Sequence, residues 1–392
     1  MYIGGSDIGE GSFTMKFLHL SDLHLGKRVN EFSMLEDQEH ILEEILAAAA
    51  AERPQAVLIA GDIYDKPVPP AEAVRLFDSF ICRLSEAGIA ALVISGNHDS
   101  PERLSFGSRV MARGGIYIAQ AFQGTVQCVA LEDEYGPVNF YLLPFVKPAM
   151  AKPFFPEEVC GDTQSTVETI LRDIHLDEGG RNVLTAHLFV TGCPRCDSED
   201  VVVGGAEGVP AEIFNAFDYT ALGHLHGPQT LPDGKARYCG TPLKYSFSES
   251  CQQKSLTVVE LREKGSLTVR TLPLTPKRDL REICGGYNEI ASKKFYDGLD
   301  TGDYFHITLT DEEDVFDAVA RLRSIYPRIM RLDYDNSRTR SQTDVFTAAR
   351  AESRTPLELF DELYFKQNGA ELTEEQKRIV SSHIEDIWED AQ

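Results

Sequence analysis

The chain has 392 residues, enough for a large core plus a smaller domain. With 42% hydrophobic and 26% charged residues it is not a disordered chain, and no apolar run approaches the about 18 residues a membrane span needs. A net charge of −24 excludes nucleic-acid binding by bulk electrostatics, because phosphate contacts come from Lys and Arg; DNA or RNA would require a local basic patch, divalent ions or a partner subunit.

Residues 1–14, MYIGGSDIGEGSFT, have no basic start and no apolar run, and read as an extension outside the fold rather than a signal peptide. A strand begins at Met15 with Phe17, Leu18 and Leu20. Ser33 and Glu36 stand at capping-box spacing before a helix whose stripe is Leu35, Ile41, Leu42, Ile45 and Leu46. Ala56–Ala60 is a second strand, 71–86 a helix, and the run through Ile94 a third strand. This alternation is the signature of an α/β fold. Further strands are expected within 115–146, a helix at about 165–176, then strands at 183–187, 219–222, 256–261 and 267–272. Pro273-Leu274-Thr275-Pro276 reads as a linker. Beyond it, a strand at 304–309, a helix over about 311–325 and a strand near 329–332 make a small α/β unit.

Five strand ends carry the chemistry: Asp22 and His24; Asp62; Asn97 and His98; His187; His224 and His226. In open α/β sheets, ligands bind beyond the carboxyl ends of strands. The i, i+2 pairs Asp22/His24 and His224/His226 would share one side of an extended backbone. Gly61, Gly96 and Gly223 precede three of the groups and permit the turn that lifts the next side chain to the edge. Any one of these residues alone would be read as a cap or a core histidine; together they are a constellation. The other histidines, 19, 40, 175, 306 and 383, lack such settings. Seven N/O donors are too many for one metal with an open position and suit two octahedral ions sharing a carboxylate, the usual device for in-line displacement at phosphorus. Imidazole, carboxylate and amide together favour manganese or iron over a thiolate-type zinc site.

The blocks D-L-H, G-D-I, G-N-H-D, a later single His and G-H-L-H match the binuclear metallophosphoesterase pattern. The longer stretches LHLSDLHLGKR, AGDIYDK, SGNHDSPERL, ALGHLH, YCGTPLKYSFSE and RDLREICGG resemble the SbcD family of bacterial nuclease subunits, relatives of the double-strand-break-repair nuclease. That resemblance runs from Met15 to the C-terminus. It implies a four-layer αββα sandwich with a small α/β capping domain and C-terminal helices. The domains would be 15–275 (nuclease), 276–338 (cap), 339–354 (linker) and 355–392 (a tail that docks an ATPase partner). It further implies two Mn2+, with Mg2+ or Fe2+ as alternatives: Asp22, His24 and His226 on one ion, Asn97, His187 and His224 on the other, and Asp62 bridging. His98 would be catalytic, sitting over the scissile phosphate as a cation or as the acid that protonates the leaving oxygen. An imidazole, with a reference pKa of about 6.5, suits either role. Asp65 departs from the pattern, since some family members carry a second histidine there, and no cationic role is assigned to it.

Implied partners are DNA and the SbcC-type ATPase subunit, with a homodimer inside a heterotetramer and no membrane; the implied place is the cytoplasm. Implied activities are 3′→5′ duplex exonuclease and single-strand or hairpin endonuclease, acting in DNA repair and recombination. A stand-alone phosphodiesterase or phosphatase on a non-DNA substrate is the alternative, and residues 278–392, which such an enzyme does not need, discriminate. Lys27, Arg28, Lys244 and Tyr245 flank the motifs and are expected at DNA phosphates or sugars. The eight scattered cysteines are no secreted disulfide framework, and Cys193-Pro-Arg-Cys196, without a second pair at zinc spacing, reads as a surface loop. In the tail, Thr355-Pro356-Leu357-Glu358 and Thr373/Gln376 are helix-start signals. The apolar stripes Leu357, Phe360, Leu363, Tyr364 and Ile379, Val380, Ile384, Ile387, Trp388 need a cover, and docking to the partner is expected.

Overall fold

The computed structural model describes residues 14–156, 160–199 and 208–337, together with Thr339, Phe360, Tyr364, Leu372, Thr373, Gln376, Lys377 and 379–381. The first strands are β1 (Met15–Leu20), β2 (Arg28–Val29), β3 (Phe32–Ser33), β4 (Ala56–Ala60), β5 (Ala90–Ile94) and β6 (Ile116–Ile118). Next come β7 (Gln127–Asp133), β8 (Gly136–Leu143), β9 (Arg181–His187), β10 (Tyr219–Gly223), β11 (Gln229–Thr230) and β12 (Ala236–Tyr238). The last are β13 (Ser255–Leu261), β14 (Leu267–Pro273), β15 (Leu280–Gly285), β16 (Tyr304–Leu309) and β17 (Ile329–Tyr334).

One sheet has the order β14-β13-β1-β4-β5-β6, in which β1, β4, β5 and β6 are parallel. The other has the order β11-β12-β10-β9-β8-β7, with β12, β10, β9 and β8 parallel and antiparallel strands at both edges. The parallel strands read as unbroken apolar runs because both faces are covered. Along β4, Ala56 and Leu58 point to the other sheet, whereas Val57 and Ile59 point to the helices. Phe17 of β1 meets Phe140 of β8 edge to face, centroids 5.5 Å apart, in the layer between the sheets. Each such buried ring contributes roughly 1.5–3 kcal/mol.

Helices α1 (Leu35–Glu52) and α2 (Ala71–Glu86) lie on the outer face of the first sheet. They bury Ile41, Leu42 and Ile45 from α1, and Phe77, Phe80 and Leu84 from α2. Helix Thr163–Asp173, started by a capping box at Asp162 and Ser165, covers the second sheet with Val167 and Ile170. The layers are therefore α, β, β and α.

The capping box expected at Ser33 and Glu36 does not form. The helix is capped by Met34 without a side-chain bond, because the Glu36 carboxylate is taken by Lys277 and Arg278. A charge-assisted contact to two cations outcompetes one backbone N–H. The expected helix over 311–325 shrinks to Ala318–Arg323. Asp317 sits at φ +52, and the Asp311 carboxylate accepts from the Tyr287 N–H, so this acidic run binds backbone instead of coiling.

The chain divides into two compact units. The first runs to Ile283 and takes in Lys293–Ile307 and Val319–Leu332; the second holds Cys284–Ser292, Thr308–Ala318 and the residues from Asp333 on. Strands β15, β16 and β17 form a three-stranded sheet in the order β15-β16-β17. The second tail signal is real: Thr373 N–H donates to Gln376 Oε1 (2.9 Å) and Gln376 N–H to Thr373 Oγ1 (3.3 Å). Of the tail residues expected to dock a partner, Leu357, Leu363, Ile384 and Trp388 lie outside the described residues. Phe360 is exposed, and Tyr364 is half-buried and accepts from Gln376 Nε2. Among the described residues, no helix is long and apolar enough to cross a membrane.

Candidate metal centre

All five strand ends open at one edge, three from the first sheet (β1, β4, β5) and two from the second (β9, β10). Their side chains meet there. Asp22, His24 and His226 offer donor atoms within 4.8 Å of one another, as do Asp22, Asp62 and His187, and likewise His24, Asp62 and His98. Asp62 Oδ2 lies 3.4 Å from His187 Nε2 and 3.8 Å from His24 Nε2, between the two groups. Asn97 Oδ1 is 2.9 Å from His187 Nε2 and 3.2 Å from His224 Nδ1. Asp22, His24, Asp62, His187 and His226 are buried, whereas Asn97, His98 and His224 are half-buried and line the open side.

The i, i+2 pairs converge, but not for the expected reason. Asp22 (φ +53), His24 (+44), Asp62 (+50) and His224 (+105) are all in the left-handed region, not extended. Such backbone costs of order 1–3 kcal/mol per residue and persists only where surrounding structure over-determines it, characteristically at functional sites. Here backbone bonds tie one loop to the next: Asp22 N–H to Gly61 O (3.0 Å) and His24 N–H to Asp62 O (2.9 Å). Asp99, next to the ligand loop, accepts from the N–H groups of Ile63, Tyr64 and Gly96 and locks the β5 loop onto the β4 loop.

The glycines are spacers for backbone and side-chain approach. A Cβ on Gly96 would stand 2.1 Å from Asp62 Oδ1, and one on Gly223 would stand 1.9 Å from the Ala60 carbonyl oxygen. That same carbonyl accepts from His187 Nδ1 (2.8 Å). Gly223→Ala should therefore displace the acceptor that orients His187. We expect it to lower stability in EDTA by about 1–3 kcal/mol, an overpacking cost. Urea denaturation checks this, and an unchanged midpoint would contradict the clash.

Ring orientation is set from behind. His226 Nδ1 donates to Ser198 Oγ (2.6 Å), whose hydroxyl donates to Glu249 Oε1 (2.6 Å). Glu249 is fully buried and also takes Lys254 Nζ (2.6 Å), while Glu199 accepts from the His226 N–H (2.6 Å). Gln38 of α1 donates to the His24 carbonyl (2.7 Å) and to Tyr245 Oη (3.0 Å). These supporting residues were not singled out from sequence. Glu249 closes the block YCGTPLKYSFSE, so its position in a motif was the one available signal.

With Nδ1 of His187 and His226 donating outward, their Nε2 atoms turn inward, the arrangement typical of metal-ligating histidine, where a cation takes the place of any Nε2 proton. Nε2 of His24 and of His226 face each other at 3.1 Å, and buried His24 Nδ1 has no hydrogen-bond partner. Burial raises Asp22. Burial also opposes the charge on Asp62, yet His187, His24 and His98 hold its carboxyl far below the usual range. Burial would lower His187, but the Asp62 charge outweighs it and lifts the imidazole to about 9; burial lowers His224 to about 3, helped by His187. Converging imidazole nitrogens, two buried carboxylates and an amide oxygen fit a pair of divalent cations.

The flanking expectations fare differently. Lys27 Nζ is 2.7 Å from Asp65 Oδ1 and lies over the Tyr245 ring, and Arg28 donates to the Glu31 carbonyl. Lys244 Nζ is 2.8 Å from Asp279 Oδ1 and bonded to the Ser250 carbonyl, and its side chain is 10% exposed. Tyr245 is 3% exposed, stacks edge-on against His24 and His226, and donates to the Leu23 carbonyl (2.6 Å). Tyr245 and Lys244 thus support the site from within and do not present a surface to DNA. Burial raises the thiol pKa of Cys193 and Cys196, which disfavours a reactive thiolate in that loop.

The calcineurin-like phosphoesterase family matches residues 15–228, and a family described as the type 5 capsule protein repressor C-terminal domain matches residues 276–368. A relative from Staphylococcus saprophyticus subsp. saprophyticus, named as the SbcD subunit of nuclease SbcCD, is 34% identical over 322 residues, 81% of this chain and 84% of its own. Two solved structures are looser likenesses. A dimetal phosphatase from Danio rerio has a TM-score of 0.43 at 12% identity, covering 67% of this chain and 98% of its own. A Thermus thermophilus protein scores 0.39 at 14% identity, covering 66% and 99%. Scores this low add nothing to the sequence matches, which stand by themselves: the chain belongs to the calcineurin-like phosphoesterases, in the branch formed by the SbcD subunits of nuclease SbcCD.

Proposed function

We propose that this chain is the Mn2+-dependent nuclease subunit of an SbcCD-type complex. It hydrolyses DNA phosphodiesters as a 3′→5′ duplex exonuclease and as an endonuclease on single strands and hairpins. The observation that carries the reading is the convergence of seven donors from five strand ends around Asp62 Oδ2, with His98 on the open side. Asp22, His24 and His226 would hold one ion, Asn97, His187 and His224 the other, and Asp62 both. A bound pair of divalent cations supplies Lewis-acid charge at phosphorus and lowers the pKa of the attacking water.

The chain's own part is orientation and proton handling. Ser198 and the Ala60 carbonyl keep His226 and His187 in the ligating tautomer. His98 Nδ1 donates to the Asp65 carbonyl (3.1 Å), and its Nε2 stands 3.9 Å from Asp62 Oδ2. From there the ring offers a proton to the departing sugar oxygen, or positive charge to the equatorial phosphoryl oxygens. Asp65, which replaces a histidine of some relatives, contributes its backbone carbonyl to His98 and its carboxylate to Lys27.

Residues 276–338 act as the capping domain. The acidic tail, with ten acids against three bases over 356–392, docks an SbcC-type ATPase inside a heterotetramer that contains two copies of this chain. The test is cleavage of a labelled hairpin duplex in Mn2+ against EDTA, with and without the ATPase subunit. Hairpin opening only with Mn2+ is expected. Hydrolysis of small phosphoesters with no cutting of any DNA would overturn the nuclease reading.

A further inference from the structure

An enzyme of net charge −24 that grips DNA must hold positive charge close to the scissile phosphate, and two of the flanking cations read from sequence are ion-paired, Lys27 with Asp65 and Lys244 with Asp279, while Arg28 donates to the Glu31 carbonyl. Arg195 is different. It lies in the Cys193-Pro194-Arg195-Cys196 loop that follows β9, and it is exposed. Its guanidinium carbon sits 3.7 Å from the centroid of Phe189, two residues beyond His187. Among the described residues no carboxylate lies within ion-pair distance of it.

A guanidinium centred over an aromatic face is held there while N–H groups remain free to pair with phosphate oxygens. The loop is tethered to the site at its far end. Ser198 and Glu199 both bond His226, and Cys196 Sγ accepts from Gln252 Nε2 (3.2 Å). Arg195 therefore sits on a short span between a ring two residues past one metal ligand and a pair of residues bonded to another.

We propose that Arg195 is the phosphate clamp of the site, pairing with a backbone phosphate of the DNA strand beside His187 and His224. This rests on the nuclease reading. It makes the CxxC loop a substrate-binding element rather than a redox or zinc device.

The test measures anisotropy of a labelled single-stranded oligonucleotide with the full chain in Mn2+, in a His98→Ala background, over a salt series. Arg195→Ala should weaken binding about tenfold or more and reduce the slope of log affinity against log salt by about 0.7, one phosphate contact. Arg195→Lys should keep the slope and recover part of the affinity, because it restores charge but not the planar fork. In the His98 wild-type background, Arg195→Ala should raise KM for the hairpin more than it lowers kcat. An unchanged slope and affinity in Arg195→Ala, with DNA bound by the parent, would overturn the clamp and leave the nuclease reading intact. A parent that neither binds nor cuts DNA would overturn the nuclease reading itself.

Discussion

His98→Ala is expected to lose nearly all nuclease turnover, by about 10²–10⁴-fold, while still binding both metal ions. His98 offers a donor atom within 4.8 Å of those of His24 and Asp62, so metal content has to be measured beside turnover. Its backbone N–H donates to Asp62 Oδ1 (2.9 Å), so the loop stays anchored when the side chain is removed. The ring is half-buried at the open side, packed edge-on against His24 at 4.9 Å, with Nδ1 committed to the Asp65 carbonyl. Truncation therefore removes the ring and its Nε2 without unmaking the pocket. Metal content by elemental analysis and single-turnover cleavage of the hairpin check the two halves together. Full turnover in the variant would take His98 out of the mechanism; loss of metal would make it a ligand instead.

Asp62→Asn should have the second large effect, and on a different quantity. The substitution keeps the shape and one acceptor oxygen for the His98 N–H, but removes the charge that faces His187, His24 and His98 together. Two cations held around one neutral amide lose their shared counter-charge, and affinity at both positions should collapse. The readout is thermal unfolding with and without Mn2+. A ligand at about 100 times its Kd stabilises the native state by roughly 2.7 kcal/mol, several degrees for a domain of this size. The parent should show that rise and Asp62→Asn should show almost none, with cleavage abolished. An equal rise in both proteins would mean that the ions are held without Asp62.

How much of this can be read in the chain before it folds? The parallel strands can, because runs such as Ala56–Ala60 are too uniformly apolar to lie anywhere but between two covered faces. So can the constellation, because chemistry-bearing residues recur where such strands stop. The shape of the loops cannot. An i, i+2 pair looks the same in sequence whether the backbone is extended or, as at Asp22 and His24, left-handed. The Ser33/Glu36 signal was sound locally and lost to two cations more than 240 positions away.

Sequence by itself determined the alternation of strand and helix, the donors at five strand ends and the membership of the branch, since each is written in contiguous residues. Tertiary structure alone decided which atoms face inward, through Ser198 and Glu249 behind His226 and Gln38 behind His24. It alone decided how the cations are engaged, Lys244 with Asp279 and Arg195 over the Phe189 ring. The physical reason is common to both. A tautomer or an ion pair depends on whichever group the folded chain brings within about 3 Å, and nothing in local spacing records that neighbour.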